Sequence, residues 1–204
     1  MSNIEELALW LAVMFPLVFS PGPGNLLCAV CGASNGLKKS MPFILGLETI
    51  YTLYSLAIGF GMLVVIQQFP HFFNSLQLFG AIYVAWLGYQ FLKRKKSDKN
   101  ISTPKLRFID GAISQALNIK GVSIIFTMYS QFLDSNESLL YETVSLSLCL
   151  FSLNLFTHIT WAYSGAWLSK KLTSTRAINL QNYIYGLLLF LISFWLIYSA
   201  ILNF

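Results

Sequence analysis

The chain has 204 residues, 56% of them apolar and only 10% charged, with a formal charge of +5. A soluble domain carries about 25% charged residues, and a core of this size cannot hide so much apolar surface. A water-soluble globule is therefore excluded, and the bilayer is part of the solvent. The positive charge does not point to nucleic acid, because 12 of the 13 basic residues sit on alternate loops between apolar segments.

Six apolar segments follow in chain order, at about 7–33, 41–67, 72–92, 108–133, 141–167 and 178–202. Each exceeds the roughly 20 residues a spanning helix needs. The first is preceded by Glu5 and Glu6, not by a basic stretch, so it reads as a retained helix and not as a cleaved leader. It is interrupted by Ser20-Pro21-Gly22-Pro23-Gly24-Asn25. Proline removes a donor and clashes with the preceding turn, and glycine admits positive φ. In lipid, such a break persists only where protein or a water-filled cavity satisfies the freed backbone. Beyond it lies Cys28-x-x-Cys31, whose spacing puts both thiols on one helix face, as in pairs that do redox work. A redox carrier would want a partner thiol in the fourth segment, and there is none; the remaining cysteine is Cys149 in the fifth. The pair reads as small apolar packing residues, with a membrane thiol or electron carrier as one alternative for the chain and a non-transporting membrane partner protein as another. The odd count argues against a disulfide scaffold. Gly32-x-x-x-Gly36 suits helix contact within or between chains, which leaves a homo-oligomer open.

The second segment holds Glu48, the one acid well inside a span. After the third, a polar and basic loop at about 93–107 divides the chain. It reads as a connector drawn to anionic lipid headgroups. The fourth segment breaks again at Asn118-Ile119-Lys120-Gly121, and Lys120 is the one basic residue well inside a span; Asp110 lies near that segment's start. The fifth carries Asn154, Thr157, His158 and Trp161 on one face. Trp10, Tyr89, Tyr141, Trp161 and Trp167 lie near segment ends, and most of them read as interfacial anchors.

The positive-inside rule puts the three basic loops in the cytoplasm and both termini outside. Three helices on either side of the 93–107 loop enter with opposite orientation, and each set opens with a broken helix. This is the arrangement of an inverted repeat. The expectation is an all-α polytopic membrane protein, one membrane domain of six transmembrane helices in two inverted three-helix repeats, about 4–92 and 108–204. The half-helices starting at about Gly24 and Gly121 present their N-termini near mid-membrane, where unpaired N–H groups and a partial positive charge make an anion site. Converging ends beside Lys120 suit a carboxylate; a kink that only packs helices is the competing reading. A charge at mid-helix costs about 2.5–3.5 kcal/mol on insertion and usually marks a substrate or proton path. Glu48 is the candidate ammonium partner or proton site. Two structural roles compete with it, an ion pair with Lys120 or a position facing the headgroups. His158 is a candidate relay, since histidine is the side chain suited to exchange protons near neutral pH, against the commoner role of a packing residue. No metal cluster, nucleotide loop or nucleophile–base pair appears, which argues against an enzyme and against any cofactor.

The stretch from Ser20 through Pro21-Gly22-Pro23-Gly24-Asn25-Leu26-Leu27, then 36–46, resembles the first two helices of the LysE/RhtB family of amino-acid exporters. The stretch 80–88, Gly80 to Gly88, looks like that family's third helix. The resemblance implies a small multi-pass protein of the bacterial inner membrane that exports amino acids or close derivatives on the proton gradient. The family's Pro-Gly-Pro falls on Pro21, Gly22 and Pro23. Its fourth-helix Asn-Pro-Lys falls on Asn118-Ile119-Lys120, where the proline is replaced and a softer break is expected. Many members carry an aspartate near the position of Tyr51; here the acid is Glu48, one turn earlier. The subgroup exporting cysteine-related metabolites looks similar too. The implied partners are a small amino-acid-like substrate and membrane lipid, with substrate contacts at Pro21, Gly22, Pro23, Gly24, Asn25, Asn118, Lys120 and Gly121.

Overall fold

The computed structural model describes residues 4–62, parts of 78–93, 106–133, 138–171 and 175–202. The third expected segment is thus described only in part, helical wherever it is, and the 94–105 stretch of the basic loop lies outside the described residues. Among the described residues every regular element is a helix. They are α1 (Ile4–Phe19), α2 (Pro23–Asn35), α3 (Leu37–Ala57) with a π-helical extension Ile58–Met62, α4 (Phe108–Ala116), α5 (Ile119–Phe132), α6 (Leu139–Lys171) and α7 (Thr175–Leu202). Leu37–Gly61 and Leu139–Lys171 are each long and apolar enough to cross a membrane. The pair α1 and α2, bent by 63°, passes the same test as one broken span.

The first break follows from local chemistry. Gly22 is extended at the N-cap of α2, and Pro23 occupies the first turn, where a missing N–H costs nothing. The fourth segment also breaks, into α4 and α5, although its proline is missing. Asn118 does the work instead: its side-chain oxygen accepts the Gly121 N–H at 3.3 Å, an N-cap that starts a new helix. The interruption is two residues, Leu117 and Asn118, and the capping asparagine supplies the start signal that proline would have supplied. At the link from α2 to α3, Gly36 has φ +78°, a left-handed value that favours glycine.

Two glycine-mediated crossings hold the helices at close range. A Cβ on Gly32 of α2 would fall on the Ala162 backbone of α6, and one on Gly165 of α6 would fall on the Ala29 backbone of α2. The same reciprocity joins α3 and α4 through Gly46 with Phe108 and Gly111 with Phe43. Small residues let backbones approach where lipid supplies no hydrophobic drive. The Gly32-x-x-x-Gly36 spacing thus serves a contact within the chain at Gly32, whereas Gly36 is the turn and faces open space. Gly32→Ala is expected to destabilise the protein by about 1–3 kcal/mol, the usual range for overpacking. A melting temperature in detergent equal to that of the wild type would disprove the crossing.

Two apolar clusters flank the helix breaks. One joins α2, α3 and α6 around Leu27, Ile44 and Leu47; the other joins α1, α3, α5 and α6 around Trp10, Met14, Ile125 and Leu146. Trp10, expected at an interface, is 1% exposed in the second cluster. Trp161 is also drawn inward, and its ring N–H donates to the Phe19 carbonyl at 3.3 Å. Tyr89, Tyr141 and Trp167 are exposed, as anchors require.

Candidate functional site

The breaks leave backbone groups that need partners, and these can be traced one at a time. At the carbonyl end of α1, the Ser20 hydroxyl donates to Leu17 O at 2.8 Å. The Asn25 amide donates to Val18 O at 2.8 Å and to Ser20 O at 2.9 Å. Trp161 takes Phe19 O. The Lys120 ammonium donates to Ser20 O and Ser20 Oγ, both at 2.8 Å, and to Pro21 O at 3.3 Å. The carbonyl side of this break is therefore closed by protein. A cation at a helix C-terminus is also electrostatically favoured.

The N–H side is different. The first bond of α2 runs from the Leu26 N–H to Gly22 O at 2.9 Å, so the amides of Gly24 and Asn25 precede the ladder. At the second break, the Tyr54 hydroxyl donates to Ala116 O at 3.1 Å, and Asn118 takes the Gly121 N–H. The Ile119 and Lys120 amides lie in the opening turn of α5. Both N-terminal helix ends line one cavity, together with Tyr51 of α3, Gln115 of α4, and Asn154 and His158 of α6. The cavity is small, about 30 Å³, room for about two waters.

Glu48 is 1% exposed, which rules out the headgroup-facing position. Its Oε1 lies 2.6 Å from His158 Nδ1. With Glu48 ionised its oxygen accepts, Nδ1 carries the hydrogen and Nε2 is left to take a proton. Nε2 faces Gly24, 3.5 Å from where a Cβ there would sit. The pairing expected as one alternative, Lys120 with Glu48, does not form: each has its own partner on a different helix. Glu48 stands behind His158 and reaches the cavity through it.

Of the residues singled out in the sequence, Gly22, Pro23, Gly24, Asn25, Asn118, Lys120, Gly121 and His158 line the cavity together. Pro21 contributes its carbonyl to Lys120, and Glu48 holds His158. Gly22 lies against the lysine stem, where a Cβ would come 2.8 Å from Lys120 Cδ. Thr157 is buried beside His158 without lining the cavity. Sequence reasoning missed Gln115 and Tyr51. The signal was present: Gln115 is an amide inside an apolar segment, three residues before Asn118, and Tyr51 is three after Glu48. Cys28 and Cys31 are free, fully buried and part of the first apolar cluster.

No solved structure matches the chain significantly. The chain is similar to proteins named cysteine/O-acetylserine efflux protein. The one from Escherichia coli O1:K1 / APEC is 25% identical over 149 residues, which is 72% of this chain and 75% of the relative. Those of Salmonella choleraesuis (strain SC-B67) and Salmonella typhi are 24% and 23% identical over the same shares. A family model described as LysE type translocator matches residues 15–200. With nearly its whole length matched and its broken helices meeting at one polar cavity, this chain belongs to the LysE-type translocator family, a family of membrane transporters and not of enzymes.

Proposed function

We propose that the chain exports small amino acids or closely related metabolites, of the kind cysteine and O-acetylserine represent, from the bacterial cytoplasm across the inner membrane, driven by the proton gradient. The arrangement proposed is six spans in two inverted repeats, with both termini outside. The observation that carries this reading is the single cavity onto which both broken helices direct their N-terminal ends. A carboxylate fits there, at the free amides of Gly24 and Asn25, with Lys120 adding full positive charge while it stays anchored on Ser20 and Pro21. The Glu48–His158 pair presents one exchangeable proton to the same cavity and suits either the substrate ammonium or the coupling proton. About 30 Å³ is less than an amino acid needs, so loading requires the breaks to flex. Hinges at irregular backbone let one bundle rock against the other.

The test is counterflow of labelled amino acids in proteoliposomes holding the purified protein, with and without a pH gradient. Saturable exchange of one or a few, accelerated by the gradient, is expected. Absence of exchange across a panel that includes cysteine and O-acetylserine, in folded protein, would overturn the reading. The thiol-carrier alternative finds no support in two fully buried thiols. The double substitution Cys28→Ser and Cys31→Ser is expected to keep counterflow within about threefold, since a small buried group is exchanged for another of similar size. A dead double variant that still folds would favour the carrier.

A further inference from the structure

Among the described residues lining the cavity, one buried side-chain donor is left unused, and the hydrogen-bond network fixes which atom it is. The Gly121 N–H can be donated only to an oxygen, so Asn118 must turn Oδ1 toward it, at 3.3 Å. Asn118 Nδ2 then faces Gln115 at 3.1 Å, and a donor there requires Gln115 Oε1 as acceptor. The amide orientation follows from the backbone, and Gln115 Nε2 is left without a partner among the described residues. Gln115 is 1% exposed. A buried N–H of this kind costs about 1–3 kcal/mol when unpaired. A native structure satisfies nearly all such groups, so one that stays unpaired calls for a partner.

The position of this atom is specific. Nε2 lies over Gly121, where a Cβ would collide with it. The side chain lines the cavity beside Gly24, Asn118 and His158. A methyl placed on Gly24 would find His158 Nε2, Asn118 Nδ2 and Gln115 Oε1 at 3.5, 3.7 and 4.0 Å. The Lys120 ammonium has three hydrogens, and Ser20 and Pro21 offer three acceptors to them. Lysine supplies field at this place, and the free side-chain donor is the glutamine.

Resting on the export reading above, we propose that Gln115 is a substrate-binding residue whose Nε2 donates to an oxygen of the substrate carboxylate. It acts with the Gly24 and Asn25 amides on the same group. A carboxylate is the ligand class that fits this unpaired donor, with the Lys120 charge on the same cavity. The glutamine also supports the second break through Asn118. Binding and propping are thereby joined in one side chain, with one atom for each.

The division between its two atoms gives the test. Gln115→Glu keeps an oxygen for Asn118 and replaces the donor with an acceptor that repels a carboxylate. Counterflow of labelled L-cysteine and O-acetyl-L-serine is measured at about pH 7, well above an ordinary carboxyl. The half-saturation concentration is expected to rise about tenfold or more for both substrates, with the maximal rate within about threefold of wild type. Gln115→Met, which removes both atoms, serves if the glutamate variant does not fold, with the same rise expected. Unchanged half-saturation in a folded variant overturns the proposal and leaves the export reading intact. A rise confined to O-acetylserine also overturns it, because the donor would then be reading the side-chain ester. No saturable exchange by wild type removes both the proposal and the reading it rests on.

Discussion

Lys120→Met is expected to reduce counterflow at least a hundredfold while the amount of protein inserted in the membrane stays within about twofold. The methionine keeps most of the stem that packs on Gly22 and deletes the ammonium. Asn25 still serves Ser20 O and Val18 O, so most of the carbonyl end remains capped. What disappears is the tie from α5 to α1 and the only full positive charge among the residues lining the cavity. Hydrogen bonds to a charged group contribute about 1.5–3 kcal/mol each, and losing two of that size accounts for a hundredfold effect or more. Radiolabel exchange beside quantitative immunodetection of the membrane fraction reads both outcomes. Transport within threefold of wild type would remove the lysine from the site and reduce the second break to a packing kink.

The Glu48→Gln variant is expected to behave differently. Equal exchange of substrate across the membrane should persist, within about tenfold of wild type. Acceleration by an imposed pH gradient should vanish. The reason lies in the 2.6 Å contact with His158. A carboxylate on Nδ1 stabilises the protonated imidazole, and a neutral amide in its place does not. Since Glu48 does not itself line the cavity, its loss removes the proton site and leaves the carboxylate-binding groups in place. Net efflux measured with the interior acidified and alkalised, compared with counterflow at symmetrical pH, separates the two. A full gradient response in Glu48→Gln would assign coupling to some other group, and a loss of counterflow as complete as that of Lys120→Met would make Glu48 a substrate contact.

The contrast between these two residues also shows where sequence reading reached its limit. Hydropathy located the apolar segments, and proline and glycine marked the first break to within a residue of the start of α2. These are local effects: a missing N–H and a preferred φ act on the neighbouring turn wherever the chain goes. The capping role of Asn118 is local as well: an asparagine three residues before the amide it caps starts a helix without the family's proline. Trp10 is the exception among the expected interfacial anchors, because position along a segment does not say which way a ring faces: it is turned inward among α1, α3, α5 and α6. Trp161 is half-buried, with its ring N–H on the Phe19 carbonyl.

Residue type and local backbone chemistry thus determined by themselves that this is a helical membrane chain with two interrupted segments, and that Glu48, Lys120 and His158 are out of place in lipid. Only the tertiary structure decided the partners: Glu48 with His158, Lys120 with Ser20 and Pro21, and Gln115 with an unused donor. A buried charge must find a partner, but a one-dimensional pattern does not say which. Residues 110 apart in sequence meet at 2.6 Å because glycines let α2, α3, α4 and α6 cross at backbone contact, and that approach depends on pairs of surfaces that no single segment contains.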